Sequence, residues 1–303
     1  MRIRLAVLLA LLTALAGCGG DPVAVCGECG PTRVAVSGGE VLVAQGRTLR
    51  RYSPDGEQRG RTDVLPARRS ADIQTLATAN GAAWIGTSGA VIRVGPGGEV
   101  ARATRRPRAY AAAMAGAGGR VWLAAGRRVL RIGPNGAVAA RSPRLPARAA
   151  LAVDGGIVWV AGGDPGYLQA LDPVTLRPRG RRIAVGPGPR ALAAGDGVVW
   201  IACDGGLRRL DVATMRTTRG ARLDVGALAL GEGGLWALAR DDRLHRLDPA
   251  AGSATAPPLP LGREASGLTA GAGAVWVALR GAGVARVDPS AMRIAWIREV
   301  PVT

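Results

Sequence analysis

The sequence predicts an all-β fold, a single seven-bladed β-propeller of four-stranded blades, and three observations carry that prediction. Apolar runs centred on a tryptophan recur at near-constant spacing, each copy holds four short apolar or alternating runs, and Gly, Asp and Pro punctuate them at repeating offsets. Trp84, Trp122, Trp159, Trp200, Trp236 and Trp276 mark six copies, and Leu42 takes the same place in the first, EVLVAQ. The intervals are 42, 38, 37, 41, 36 and 40 residues, a mean of 39. Repeats of this length built from four strands have the size of propeller blades. Seven copies tile residues 31–303 and leave no interval for another domain.

Each element of the repeat has a physical reason. The first run of a copy is short and built of small residues, as in ALAAG at 191–195, which suits the crowded strand nearest a propeller axis. The second is the Val-Trp run, apolar on both faces. A half-solvated strand alternates. Continuous hydrophobicity is expected where neighbouring blades cover both faces, and the tryptophan then fills the gap between blades. The third run carries Arg at its penultimate position: Arg51, Arg93, Arg131, Arg209, Arg246 and Arg286, with Ala170 the exception. Such periodicity marks these arginines as scaffold, expected to be exposed on the outer half of the blade and paired with neighbouring carboxylates. The run stops at Ser53-Pro54, Gly95-Pro96, Gly133-Pro134, Asp172-Pro173, Asp248-Pro249 and Asp288-Pro289, where Pro presets φ for a turn and cannot donate to a ladder. The fifth copy has Asp211-Val212 instead. First and last copies both begin with an innermost run, so the sequence leaves the closure of the ring open.

Ahead of the repeat, Arg2 and Arg4 precede an apolar run from Leu5 to Leu15, too short to cross a bilayer as a mature helix and suited to a secretory signal. It ends in Leu15-Ala16-Gly17-Cys18, the pattern of a lipobox. Residues 1–17 are therefore expected to be a lipoprotein signal peptide, Cys18 the diacylated first residue of the mature chain, 18–30 a lipidated tether and 31–303 the propeller. Two acyl chains, at about 0.8 kcal/mol per buried methylene, anchor stably where one does not. In the tether, Cys26-Gly27-Glu28-Cys29 lacks the βαβ setting of a thioredoxin motif and the following His of a haem attachment, and two cysteines do not complete a zinc site. A local Cys26–Cys29 disulfide is expected in an oxidising compartment. Cys203 is then unpaired, at the end of a strand. No later segment is long and apolar enough to span a bilayer, so the expected location is extracytoplasmic, at the cell membrane or at an outer membrane where the cell has one.

The chain is 48% hydrophobic, carries a formal charge of +18, has only Arg for its 40 basic residues, and contains no Phe. A basic surface attracts acidic or phosphate-bearing partners at long range, while heavy Arg usage also fits a solvated surface encoded by a GC-rich genome. Nucleic acid is not an expected partner, because an exported chain with few exposed aromatics offers little for base stacking. The Gly-rich turns open no helix and are read as turn glycines, not phosphate cradles.

The VW run followed by Arg, an apolar residue and Asp-Pro resembles the repeat of the virginiamycin B lyase-like (streptogramin lyase-like) propellers, and related repeats in extracytoplasmic actinobacterial lipoproteins and receptor-kinase ectodomains. The resemblance covers residues 31–303 and is one of scaffold. For the lyases it implies a histidine general base and an Mg²⁺-assisted elimination, with carboxylates three residues after the Trp. Those positions here hold Gln45, Thr87, Ala125, Gly162, Cys203, Ala239 and Leu279, none acidic. The single His, His245, falls in the middle of a third strand, where the other copies have Arg50, Ile92, Leu130, Gln169, Arg208 and Ala285. Lyase chemistry therefore lacks its proton acceptor and most of its metal ligands, and a Ser-His-Asp triad lacks its base. A lactonase-like metal site needs converging oxygen ligands. Asp72, Asp164, Asp204, Asp224, Asp241, Asp242 and Glu264 are instead scattered among arginines.

Antiparallel strands place the stereotyped turns on one face of the propeller and the divergent loops on the other. The divergent loops include 125–128, 162–166, 203–206 and 240–243, and the segments leading into first strands bring Arg108, Arg148, Arg190 and Arg263-Glu264 toward the same mouth. Function on a repeated scaffold resides in such irregular loops. Arg108, Arg148, Arg190, Asp204, Arg263 and Glu264 are thus the candidate ligand-binding residues; no catalytic residue, metal or cofactor is expected. The reading is a monomeric, lipid-anchored extracytoplasmic binding or interaction module, held to the membrane through Cys18, whose Arg-rich mouth takes an anionic or polar envelope ligand or a protein partner. The alternatives are a diverged lyase-like or lactonase-like enzyme on the same scaffold, and a purely structural envelope protein.

Overall fold

A computed structural model describes residues 32–65, 73–105, 111–145, 149–281 and 283–299, which form 28 β-strands and no helix. Cys18, Cys26 and Cys29 lie outside the described residues. The strands make seven antiparallel four-stranded sheets in chain order, spanning 33–63, 73–105, 111–141, 150–184, 191–219, 225–260 and 265–298. In the fifth blade the order from the axis outward is Ala191–Gly195, Val198–Cys203, Gly206–Asp211 and Arg216–Arg219. The innermost strands neighbour one another around the axis, and Arg33–Ser37 of the first blade lies beside Ala265–Gly271 of the seventh. The ring closes without exchanging a strand. Thr32 Oγ1 donates to the Leu279 carbonyl at 2.9 Å, and Ser266 Oγ donates to the Thr32 carbonyl at 2.7 Å.

Strand register reproduces the sequence alignment in every copy. Leu42, Trp84, Trp122, Trp159, Trp200, Trp236 and Trp276 stand opposite Ala35, Ala77, Ala115, Ala152, Ala193, Ala229 and Thr269 on the inner side. On the outer side they stand opposite Arg51, Arg93, Arg131, Ala170, Arg209, Arg246 and Arg286. The small inner partner makes room for the ring. Seven apolar clusters result, one at each junction between blades, the closing one included. Trp200, for example, packs with Val225, Leu235 and Leu247 of the next blade. Each of these six tryptophans is buried, worth about 4–6 kcal/mol of gross transfer free energy at 25 cal/mol/Å².

The turn joining first and second strands is the same in all seven blades. Both central residues have positive φ, from Gly38-Gly39 through Asn80-Gly81, Asp196-Gly197 and Glu232-Gly233 to Ala272-Gly273. This is the type I′ hairpin turn, whose twist matches that of the strands; the second position, with φ of 70–76°, is always Gly. In the turn after the third strand, an aspartate before Pro or Val turns its carboxylate onto the following N–H groups. Asp288 accepts from Ser290 and Ala291 at 2.8 and 2.9 Å, and its pKa is pushed down to about 2 chiefly by these bonds. Asp172 and Asp211 are lowered in the same way, Asp172 by Thr175 and Arg179 together.

The periodic arginines depart from expectation. They are half-buried rather than exposed, and several reach the turn carbonyls of the next blade instead of carboxylates. Arg51 donates to the Pro96 carbonyl, Arg131 Nε to Val174 O at 3.0 Å, and Arg246 Nη1 to Pro289 O at 3.0 Å. Trp122 and Trp200 donate their indole N–H to Pro173 O and Pro249 O, both at 3.0 Å. The reason is that turn carbonyls at a blade junction have no strand partner and must find a donor. Where Arg246 occupies the Pro289 carbonyl, Trp236 turns to Gly231 O of its own hairpin at 2.9 Å. The Pro turn is thus both a terminator and an interblade latch.

Candidate functional site

The divergent loops and lead-in segments gather on one face around an axial cavity of about 1150 Å³. Its wall comes from inner strands, with Ala112, Ala113, Ala150, Leu151, Leu192 and Leu228 among the lining residues; Arg190, Asp204 and Arg240 stand among its polar groups. The inner strands are small-residue rich for the packing reason given above, and the cavity is a consequence of that choice.

Arg190 is held where it is by its backbone and its side chain together. Its N–H donates to the Ala202 carbonyl at 2.9 Å, and Nε donates to Gly188 O at 3.3 Å. One terminal nitrogen pairs Asp204; the other pairs Asp224 of the next blade at 2.9 Å. Asp204 in turn donates its N–H to Pro187 O at 2.9 Å, and its carboxylate lies against Gly188, where φ is +57° and a Cβ would overlap it. Asp224 also meets Arg240 Nε at 3.6 Å. Two guanidiniums thus face two carboxylates, and this side of the mouth is balanced in charge.

The seventh blade repeats the device. In the sixth, Asp224 before the first strand accepts at its carbonyl from the Arg240 N–H after the second; in the seventh, Glu264 and Arg280 do the same. Arg280 Nη1 then pairs the Glu264 carboxylate at 2.7 Å, while Arg263 pairs Glu299 at 3.4 Å. Arg190 and Asp204 are therefore brought together, whereas Arg263 and Glu264 belong to separate pairs away from the axial cavity. Arg108 and Arg148 lie outside the described residues.

Two further carboxylates of the face are occupied as well. Asp241 pairs Arg243 at 3.6 Å, and Asp242 accepts from the Ala265 N–H at 3.0 Å, tying one blade to the next. Among the described residues, no three His, Cys, Asp or Glu side chains converge as a metal site would require. His245 stands opposite Ala237 within its strand, half-buried, and burial pushes its pKa down. Cys203 is buried with Sγ directed at Val185 O, 3.3 Å away, and burial raises its pKa; a protonated thiol in that setting is a packing residue.

A second cavity, of about 590 Å³, opens on the same face between the third and fourth blades. Arg127, Arg144, Asp164, Tyr167 and Arg182 line it. Sequence reading reaches Arg127 and Asp164 as members of divergent loops, but not Arg144, Tyr167 or Arg182. Arg182 belongs to an outer strand, Pro178–Ala184, and no periodic position in the other blades announces it.

By sequence, neither a family model nor a curated protein matches the chain. By structure, a virginiamycin B lyase from Staphylococcus aureus is similar with a TM-score of 0.67 at 16% identity, over 82% of this chain and 92% of that one. BamB from Moraxella catarrhalis is similar with a TM-score of 0.59 at 17% identity, over 88% and 87%. PorZ, a surface component of the type-IX secretion system of Porphyromonas gingivalis, is similar with a TM-score of 0.68 at 12% identity; 90% of this chain matches 38% of PorZ. At these identities the likeness is one of architecture, and the chain takes its place beside the virginiamycin B lyase as a seven-bladed β-propeller.

Proposed function

We propose that the chain is a lipid-anchored, extracytoplasmic binding module that engages a polar or anionic envelope ligand, or a protein partner, with its loop face. The observation that carries this is the make-up of the axial cavity: small apolar walls with a rim of Arg190, Asp204 and Arg240. Such a cavity offers burial and oriented donors and acceptors, the ingredients of recognition. The +18 charge favours an acidic partner. The Leu15–Cys18 motif supports anchoring outside the cytoplasm, and PorZ, a bacterial surface component, uses the same fold.

The test is a thermal-shift screen of anionic envelope compounds on the full chain, with and without Mg²⁺. At least one compound is expected to raise the midpoint without Mg²⁺, and substitution of loop-face arginines is expected to abolish that rise. A melting curve indifferent to every compound and to envelope extract would leave the structural alternative standing and overturn the reading.

A further inference from the structure

The cleft between the third and fourth blades shows where on the loop face an anion would be held. Arg190, Arg240, Arg243, Arg263 and Arg280 on that face are each paired with a carboxylate. Arg127, Arg144 and Arg182 line the cleft with one carboxylate, Asp164, among them, and none of the three forms an ion pair among the described residues. Three guanidiniums against one carboxylate leave a local excess of two positive charges.

The arginines are also positioned. The Leu145 N–H donates to the Arg127 carbonyl at 2.8 Å, which holds the segment carrying Arg144 beside the loop carrying Arg127. Arg182 lies over the Tyr167 ring, its Cζ 4.3 Å from the centroid. Attraction to the ring places the guanidinium without pairing it to a carboxylate. Next to Tyr167 the backbone approaches closely: Gly166 accepts from the Val185 N–H at 3.1 Å, and a Cβ on Gly166 would run into Gly186 O and Pro189.

We propose that this cleft is an anion-binding site of the loop face and that it takes the phosphate group of a small molecule. Guanidinium forks match phosphate oxygens in paired hydrogen bonds, and a cleft of about 590 Å³ accommodates a compact phosphorylated molecule. The inference rests on the binding-module reading and deepens it by moving the anion from the charge-balanced axial mouth to the cleft.

The experiment is calorimetric titration of the full chain with inorganic pyrophosphate at low and moderate salt. Parallel titrations use an Arg127→Ala/Arg144→Ala/Arg182→Ala variant and, as the control, an Arg216→Ala variant on the exposed outer strand of the fifth blade, each checked for native circular dichroism. Saturable binding that falls about tenfold or more in the triple variant and is unchanged in Arg216→Ala is the expected result. Binding kept in the triple variant overturns the cleft while leaving the binding-module reading intact. Absence of saturable pyrophosphate binding also overturns the cleft; the envelope-compound screen then decides the wider reading independently.

Discussion

Gly252 offers the sharpest test of how one blade is locked onto the next. It lies in the Asp248-Pro249 turn of the sixth blade, with φ of +72°, over the buried ring of Trp200 from the fifth. The equivalent position, four residues after the turn aspartate, is Leu176, Met215 and Met292 in other blades, all with φ of 49–59°. Backbone strain alone is therefore tolerated there. What differs is the ring: a Cβ at 252 would overlap Trp200 Cη2 and come within 2.8 Å of Cζ3. The ring has no way to yield. Its N–H is tied to Pro249 O at 3.0 Å, and a Cβ on Gly220 would likewise lie 2.6 Å from Cζ3.

Gly252→Ala should thus cost about 1 kcal/mol for the left-handed backbone and about 1–3 kcal/mol for overpacking, roughly 2–4 kcal/mol in all. Gly197→Ala supplies the comparison, since its φ is +73° and a Cβ there meets nothing within 4 Å; only the backbone contribution of about 1 kcal/mol is expected. Trp200→Phe removes Cζ3 and Cη2, so in that background Gly252→Ala should fall to the cost of Gly197→Ala. Urea unfolding followed by circular dichroism measures all four variants, and the double-mutant cycle isolates the ring contact. If Gly252→Ala costs no more than Gly197→Ala, or its cost is unchanged in Trp200→Phe, the lock does not depend on this fit.

Other consequences can be checked with the same protein. Ala272, with φ of 53° at the first position of its type I′ turn, should be relieved by Ala272→Gly, a gain of roughly 0.5–1 kcal/mol in urea unfolding after the entropy cost of glycine. Asp172, Asp211 and Asp288 have depressed pKa values in the folded chain. Their stabilisation should be complete above the unfolded value of about 3.9 and fade as pH falls toward about 2; an Asp172→Asn/Asp211→Asn/Asp288→Asn variant should show a shallower loss of unfolding midpoint over that window. Cys203 should resist alkylation by iodoacetamide in the native protein and react once it is unfolded, as peptide mass spectrometry would read; rapid native labelling would contradict its burial and raised pKa.

The scaffold could be read from sequence because every blade faces the same environment. A junction that buries a tryptophan, or Leu42 in the first blade, beside a small inner residue is repeated at each boundary, and several junctions also offer a turn carbonyl to an arginine. Ala170, where the others have Arg, still keeps the register, standing opposite Trp159. The partners of the repeated arginines were less legible, since a carbonyl acceptor leaves no mark on side-chain identity. The site was hardest for the opposite reason. Arg190 meets Asp224 from 34 residues away in the next blade, and Arg182 gains its meaning only from Tyr167 beneath it; neither relation repeats. Counting arginines at a mouth therefore overstates its potential, because a guanidinium already facing a carboxylate attracts an anion little. The arginines that matter for an acidic ligand are those left over after the pairs are formed, and folding leaves Arg127, Arg144 and Arg182 in one cleft.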